Sequence, residues 1–83
     1  MTWDYRAIKE IGSGEMVYQV HKCYYDDKGE LQGWEERPSC AQGETLEELR
    51  ADLTAMLDDV GSQPVLDMEE LRRRFPKEEA VHE

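Results

Sequence analysis

Basic residues are scarce in this chain: 10 Lys and Arg stand against 20 Asp and Glu over 83 residues, for a formal net charge of −10. So acidic a surface offers phosphate backbones no clustered cations, which argues against direct nucleic-acid binding by the domain as a whole. Long apolar runs are also missing. Nothing approaches the ~20 residues of a membrane-spanning helix. The opening Met1-Thr2-Trp3-Asp4-Tyr5-Arg6 lacks the apolar stretch of a secretory signal. The expectation is a cytoplasmic protein with no membrane partner. Cysteine is limited to Cys23 and Cys40, whereas disulfide-stapled scaffolds usually carry four or more, so two reduced thiols are expected. Length excludes a cofactor domain beside a substrate domain. We read residues 1–76 as one domain and 77–83 as a flexible tail. Folding at this size buries only ~60% of the chain's surface, so the core must be thin.

What is present is pattern. Trp3, Tyr5 and Ala7 alternate with Asp4 and Arg6, the period of a half-buried strand. Gly12-Ser13-Gly14 supplies a tight hairpin connection. Met16 to Tyr25 is rich in Val and Tyr, which suit a pleated surface. Met16, Tyr18, Val20 and Tyr24 share one face, and Val17, Gln19, His21, Cys23 and Tyr25 share the other. Asp26-Asp27-Lys28-Gly29 reads as a turn with Gly29 in the left-handed region. The strand Glu30 to Glu36 follows, with Leu31 turned away from Gln32 and Trp34.

The period then changes to 3.6. Thr45-Leu46-Glu47-Glu48 forms a capping box, in which Glu48 reaches back to the Thr45 amide. The apolar residues Leu46, Leu49, Leu53, Met56, Leu57 and Val60 make one helical stripe, and Gly61 ends the helix. Pro64-Val65-Leu66 is extended, either as a short strand or lying across the core. Asp67 caps a second helix carrying Met68, Leu71 and Phe75 on one side, which ends before Pro76. The fold class is α+β: a three-stranded antiparallel meander, with a short fourth strand as an option, one long amphipathic helix on the sheet and a short C-terminal helix.

Several motifs imitate chemistry. Ile11 to Tyr18 looks like a kinase glycine-rich loop, but Val17 stands where the third glycine belongs and no phosphate-pairing lysine follows. Asp26, Asp27 and Glu30 lack the twelve-residue spacing of a calcium loop. His21, Cys23, Cys40 and His82 lack the paired spacing of a zinc site, so no metal and no cofactor are expected. His21 and Cys23 lie ~7 Å apart along one strand face, beyond hydrogen-bond reach for a nucleophile pair. The carboxylates of Glu47, Glu48, Asp52, Asp58 and Asp59 belong to the polar side of the long helix and are expected to be solvated. Arg72-Arg73-Arg74 wraps its helix instead of forming a patch, with Glu69, Glu70, Glu78 and Glu79 nearby to neutralise it. No nucleophile, base and oxyanion donor assemble, so an enzyme is not expected.

The segment Cys40-Ala41-Gln42-Gly43-Glu44-Thr45-Leu46-Glu47-Glu48-Leu49-Arg50 resembles the signature of HicB-like antitoxins, a loop Cys-x-x-Gly-Asp-Thr followed by Glu-Glu and an amphipathic helix. The resemblance covers roughly residues 3–66. It implies a partial RNase H-like β-β-β-α-β unit without nuclease activity. Pro38-Ser39-Cys40 departs from the family's Pro-Gly-Cys run, and a short acidic helix follows where many members carry a DNA-binding part. By the same resemblance the partner is a small basic protein, such as a ribonuclease-type toxin.

Two function classes remain. One is a non-enzymatic binding module that presents Glu47, Glu48, Asp52 and Asp59 as charge and Trp34 and Tyr25 as aromatic anchors. The other is a homodimer associating through a sheet edge or a sheet face that no helix covers. The acidity is uneven: residues 1–43 carry 5 bases and 8 acids, while residues 44–83 carry 5 bases and 12 acids. The helical half therefore holds most of the charge, and the meander is nearly balanced and aromatic.

Overall fold

The computed structural model describes residues 2–75; the expected tail, Pro76 and His82 lie outside them. Strands β1 (Thr2–Gly12) and β2 (Glu15–Tyr25) pair antiparallel over their whole length, from Thr2↔Tyr25 to Gly12↔Glu15. The two-residue turn between them has positive φ at both positions, 54° at Ser13 and 83° at Gly14. This is the mirror-image turn whose twist matches that of the flanking strands. Asp26 then organises the next reversal, its Oδ1 accepting from the amides of Lys28 and Glu30, both at 2.9 Å. Gly29 takes a φ of 82° there.

Strand β3 (Leu31–Trp34) completes the meander, with Cys23 opposite Trp34 and Tyr25 opposite Leu31. A bulge at Tyr24/Tyr25 corrects the simple alternation expected for this strand. One residue is left over, so Leu31 and Trp34, three apart, both pack against the same buried cluster. The chain keeps following β2 after β3: Glu35 N donates to Lys22 O at 2.9 Å and Ser39 N to Val20 O at 2.8 Å.

Helix α1 (Leu46–Ser62) begins at Thr45, whose hydroxyl accepts from Glu48 N at 3.1 Å. The reciprocal half of the capping box is displaced by one residue, because Glu48 Oε1 accepts from Glu44 N at 2.8 Å. Gly43 is required here: a Cβ on it would fall 2.5 Å from Glu48 Cβ and 2.6 Å from Leu49 N. Gly61 does not end the helix but lies inside it. The stop comes from Gln63, extended at φ −121° and ψ 149°, because the ring of Pro64 disfavours the helical region for the residue before it.

Strand β4 (Leu66–Asp67) adds to the outer edge of β1 in parallel, giving the order β3-β2-β1-β4. Asp67 then caps α2 (Met68–Arg74), accepting from Glu69 N at 2.9 Å. Four consecutive residues of β1, Tyr5 to Ile8, are buried, so both faces of the sheet are covered. Helix α1 lies over the face of Tyr5 and Ala7, and α2 over the face of Ile8 and Cys23. The expectation that one sheet face has no helix is thereby corrected. The fully buried cluster is Ile8, Cys23, Met68 and Leu71, with Tyr25, Leu31, Trp34, Leu66 and Phe75 packed around it. Of the carboxylates expected to neutralise the arginines, Glu78 and Glu79 lie outside the described residues; Arg72 ties α2 to Glu10 of β1 at 3.1 Å and to Glu36 at 3.0 Å.

Candidate functional site

The charged side of α1 is divided between the sheet and the surface. Asp52 and Asp59 turn inward, half-buried, against Tyr5. Asp52 Oδ1 accepts from Tyr5 Oη at 2.7 Å, and its Oδ2 accepts from Gln42 N at 3.0 Å. These two bonds, the Tyr5 one foremost, hold the Asp52 carboxyl below the ordinary carboxylate range. Asp59 Oδ2 accepts from Tyr5 N at 3.1 Å. The cause lies in the sheet edge. Strand β4 meets β1 only at Ile8 and Lys9, so the outward amide of Tyr5 has no strand partner and the carboxylate of Asp59 supplies one. The expectation that all these helix carboxylates are solvated is corrected for Asp52 and Asp59.

Rolling those aspartates inward rolls the leucines outward. Met56 is the one residue of α1 that is buried, with Leu49 and Val60 half-buried beside it. Leu46, Leu53 and Leu57 remain 61%, 51% and 71% exposed. At 100° per residue these three fall within ~40° of one another, a stripe running along the outer side of the helix. Glu47, Thr54 and Asp58, all exposed, border it on the solvent side. The sequence pattern gave one apolar stripe and assigned all of it to the core. What it concealed is that the stripe is wider than its contact with the sheet, and the helix meets the sheet along one flank only.

The other expected partner-binding residues are spread apart. Glu47 and Glu48 are exposed at the start of α1, and Glu48 is engaged by the Glu44 amide. Trp34 and Tyr25 are half-buried on the opposite sheet face. The Trp34 ring meets Phe75 edge-on at 5.8 Å. Tyr25 Oη accepts from Arg6 Nη1 at 2.9 Å and donates to Asp4 Oδ1 at 2.7 Å. Burial, followed by the bond to Asp4, pushes its hydroxyl up to about 12. The structure therefore brings Asp52 and Asp59 together on Tyr5 and separates both from Trp34 and Tyr25.

Cys23 is buried against Met68 and Leu71 of α2 and His21 is buried on the same strand, while Cys40 is exposed and lines a cleft with Tyr5 and Asp52. His21 Nδ1 lies 2.8 Å from Glu35 O, so that nitrogen carries the proton. Among the described residues, no three His, Cys, Asp or Glu side chains converge in a way that could hold a metal ion. A polar cleft of about 230 Å³ is lined by Tyr5, Lys22, Glu35, Ser39, Cys40 and Asp52 among others. Its charged groups are engaged: Asp52 with Tyr5 at 2.7 Å, and Lys22 Nζ over the Trp3 ring at 4.6 Å.

No protein-family model matches the chain, and no curated protein or solved structure is significantly similar to it.

Proposed function

We propose that this chain is a non-enzymatic protein-binding module that docks a basic protein on the outer face of α1. The observation that carries the reading is the exposed stripe Leu46, Leu53 and Leu57 bordered by Glu47 and Asp58. An apolar strip with a charged rim is the general anatomy of a docking surface. The sign of the rim sets the partner's charge, since complementary potentials speed encounter and exclude like-charged competitors. A second copy laid on this helix would set acid against acid, because α1 carries Glu47, Glu48, Asp52, Asp58 and Asp59 against Arg50 alone. The element order β-β-β-α-β is the one that the resemblance to HicB-like antitoxins implies, and under that resemblance the partner is a small basic toxin.

The test is affinity purification of the full chain from its own cells, with the retained proteins identified. The expected result is a small basic protein held by the wild type. It is lost when Leu53→Asp and Leu57→Asp are combined, and weakened by Glu47→Lys with Asp58→Lys. Failure to retain a basic protein, or retention that neither pair of substitutions affects, overturns the reading.

A further inference from the structure

The hairpin end of the sheet offers a second surface, independent of α1. Among the described residues, the outer edge of β2 is covered only from Val20 onward: Ser39 N donates to Val20 O at 2.8 Å, and β3 pairs with Cys23 to Tyr25. Among the described residues, no strand or loop pairs with that edge over Glu15 to Gln19. The carbonyls of Val20 and Lys22 point to the outer side, so by the alternation of a strand the outward backbone groups below them belong to Met16 and Tyr18. Their side chains are 48% and 62% exposed, and Val17 between them is 38% exposed. Open edges are normally guarded by a charge, a proline or a bulge. Met16-Val17-Tyr18 has none of these.

We propose that this edge pairs with the same edge of a second copy, antiparallel about a two-fold axis at Val17. In that register Met16 faces Tyr18 of the second copy and Tyr18 faces its Met16. The outward N–H and C=O groups of each then meet, giving four backbone hydrogen bonds. Glu15 falls opposite Gln19, so no like charges are opposed and each carboxylate meets an amide donor. The alternative registers are poorer. A shift of one residue removes the match between outward groups, and a shift of two along the edge runs into the turn at one end or the Val20–Ser39 bond at the other.

Charge favours this place for self-association over the helical half. Lys9 to Gln19 carries one base and two acids, whereas the whole chain stands at −10. The remaining repulsion between copies is long-range and screened by salt. Added salt therefore strengthens this dimer, the opposite of its effect on binding to a basic partner at α1.

Sedimentation of the full chain over a range of concentration and ionic strength tests the proposal. The expected result is a monomer–dimer equilibrium that shifts towards dimer as salt is added. Tyr18→Pro removes an outward amide without touching the β1 ladder and should leave a monomer with an unchanged circular dichroism spectrum. Gln19→Lys places a cation opposite Glu15 of the second copy and should tighten the dimer by about fivefold, while Gln19→Glu loosens it. A monomer at every concentration up to on the order of 1 mM overturns the proposal. So does a dimer that Tyr18→Pro leaves intact, or one that Gln19→Lys and Gln19→Glu shift in the same direction.

Discussion

Tyr5 donates its hydroxyl proton to Asp52 at 2.7 Å, joining the first strand to the long helix across 47 positions of sequence. The same carboxylate accepts from the Gln42 amide at 3.0 Å, so one aspartate fixes both the strand and the loop that leads into the helix. Both bonds favour the ionised carboxylate and lower its pKa from 3.8. A lowered folded-state pKa adds stability above the unfolded value, and that stability is lost as pH falls through the folded one. Tyr5→Phe removes the larger cause. Its urea midpoint should fall below wild type at neutral pH, and the gap should close as the pH drops below 3.8. A gap that persists unchanged in acid would show that Asp52 is not the group responsible.

The alkaline limb has the opposite sign. Burial, and then the bond to Asp52, pushes the Tyr5 hydroxyl up to about 12. Tyr25 is likewise pushed to about 12, and burial raises the Cys23 thiol to about 11. Raised folded-state values mean that the stabilisation is complete below the ordinary values of 9 for the thiol and 10 for the phenols. It is lost as pH rises from there through 11 and 12. Tyrosinate absorbance from Tyr5 and Tyr25 should therefore appear together with loss of the fold, as one cooperative transition. Ionisation of both at their ordinary values with the circular dichroism intact would contradict the packing described for them.

At the hairpin turn, Ser13 holds a φ of 54°, a left-handed conformation that is costly for most side chains and tolerated best by Gly and Asn. Ser13→Asn creates Asn-Gly, the pair this turn prefers, with no other contact altered. The expected gain is about 0.5 kcal/mol, read as a raised urea midpoint with an unchanged slope. A loss of stability would mean that the Ser13 hydroxyl has a role in the turn beyond its backbone angle.

Elements were more legible in the sequence than their packing. Alternation at Trp3-Asp4-Tyr5-Arg6 and the glycines around Ser13 locate the hairpin, and Thr45 and Asp67 mark both helix starts, because these signals are local. Which face of α1 meets the sheet is not a local property. It depends on Tyr5 offering a hydroxyl and an unpaired amide to Asp52 and Asp59, a match between residues some 50 positions apart that no periodicity encodes. The bulge at Gln32, opposite Tyr24 and Tyr25, is hidden for the same reason, since it exists only in the pairing of two strands. The exposed stripe, once the helix is rolled this way, consists of leucines that any reading of amphipathicity places inside.

That inversion has a direct consequence for stability. The long helix looks like the main source of core side chains, yet the fully buried cluster takes Met68 and Leu71 from the seven-residue α2 and nothing from α1. Leu71 is 1% exposed and Leu57 is 71% exposed. Truncating a buried leucine costs about 2–5 kcal/mol, since a cavity adds to the lost transfer energy. That is a large share of the roughly 5 kcal/mol expected at the lower end for a small domain. An exposed residue away from such packing usually changes stability by no more than about 0.5 kcal/mol. Leu71→Ala should melt far below wild type, whereas Leu57→Ala should melt close to it, both followed by circular dichroism. The two leucines then separate cleanly, with Leu71 required for folding and Leu57 dispensable for it. If Leu57→Ala unfolds the chain instead, helix α1 sits on the sheet through its leucine stripe, and the surface assigned to a basic partner does not exist.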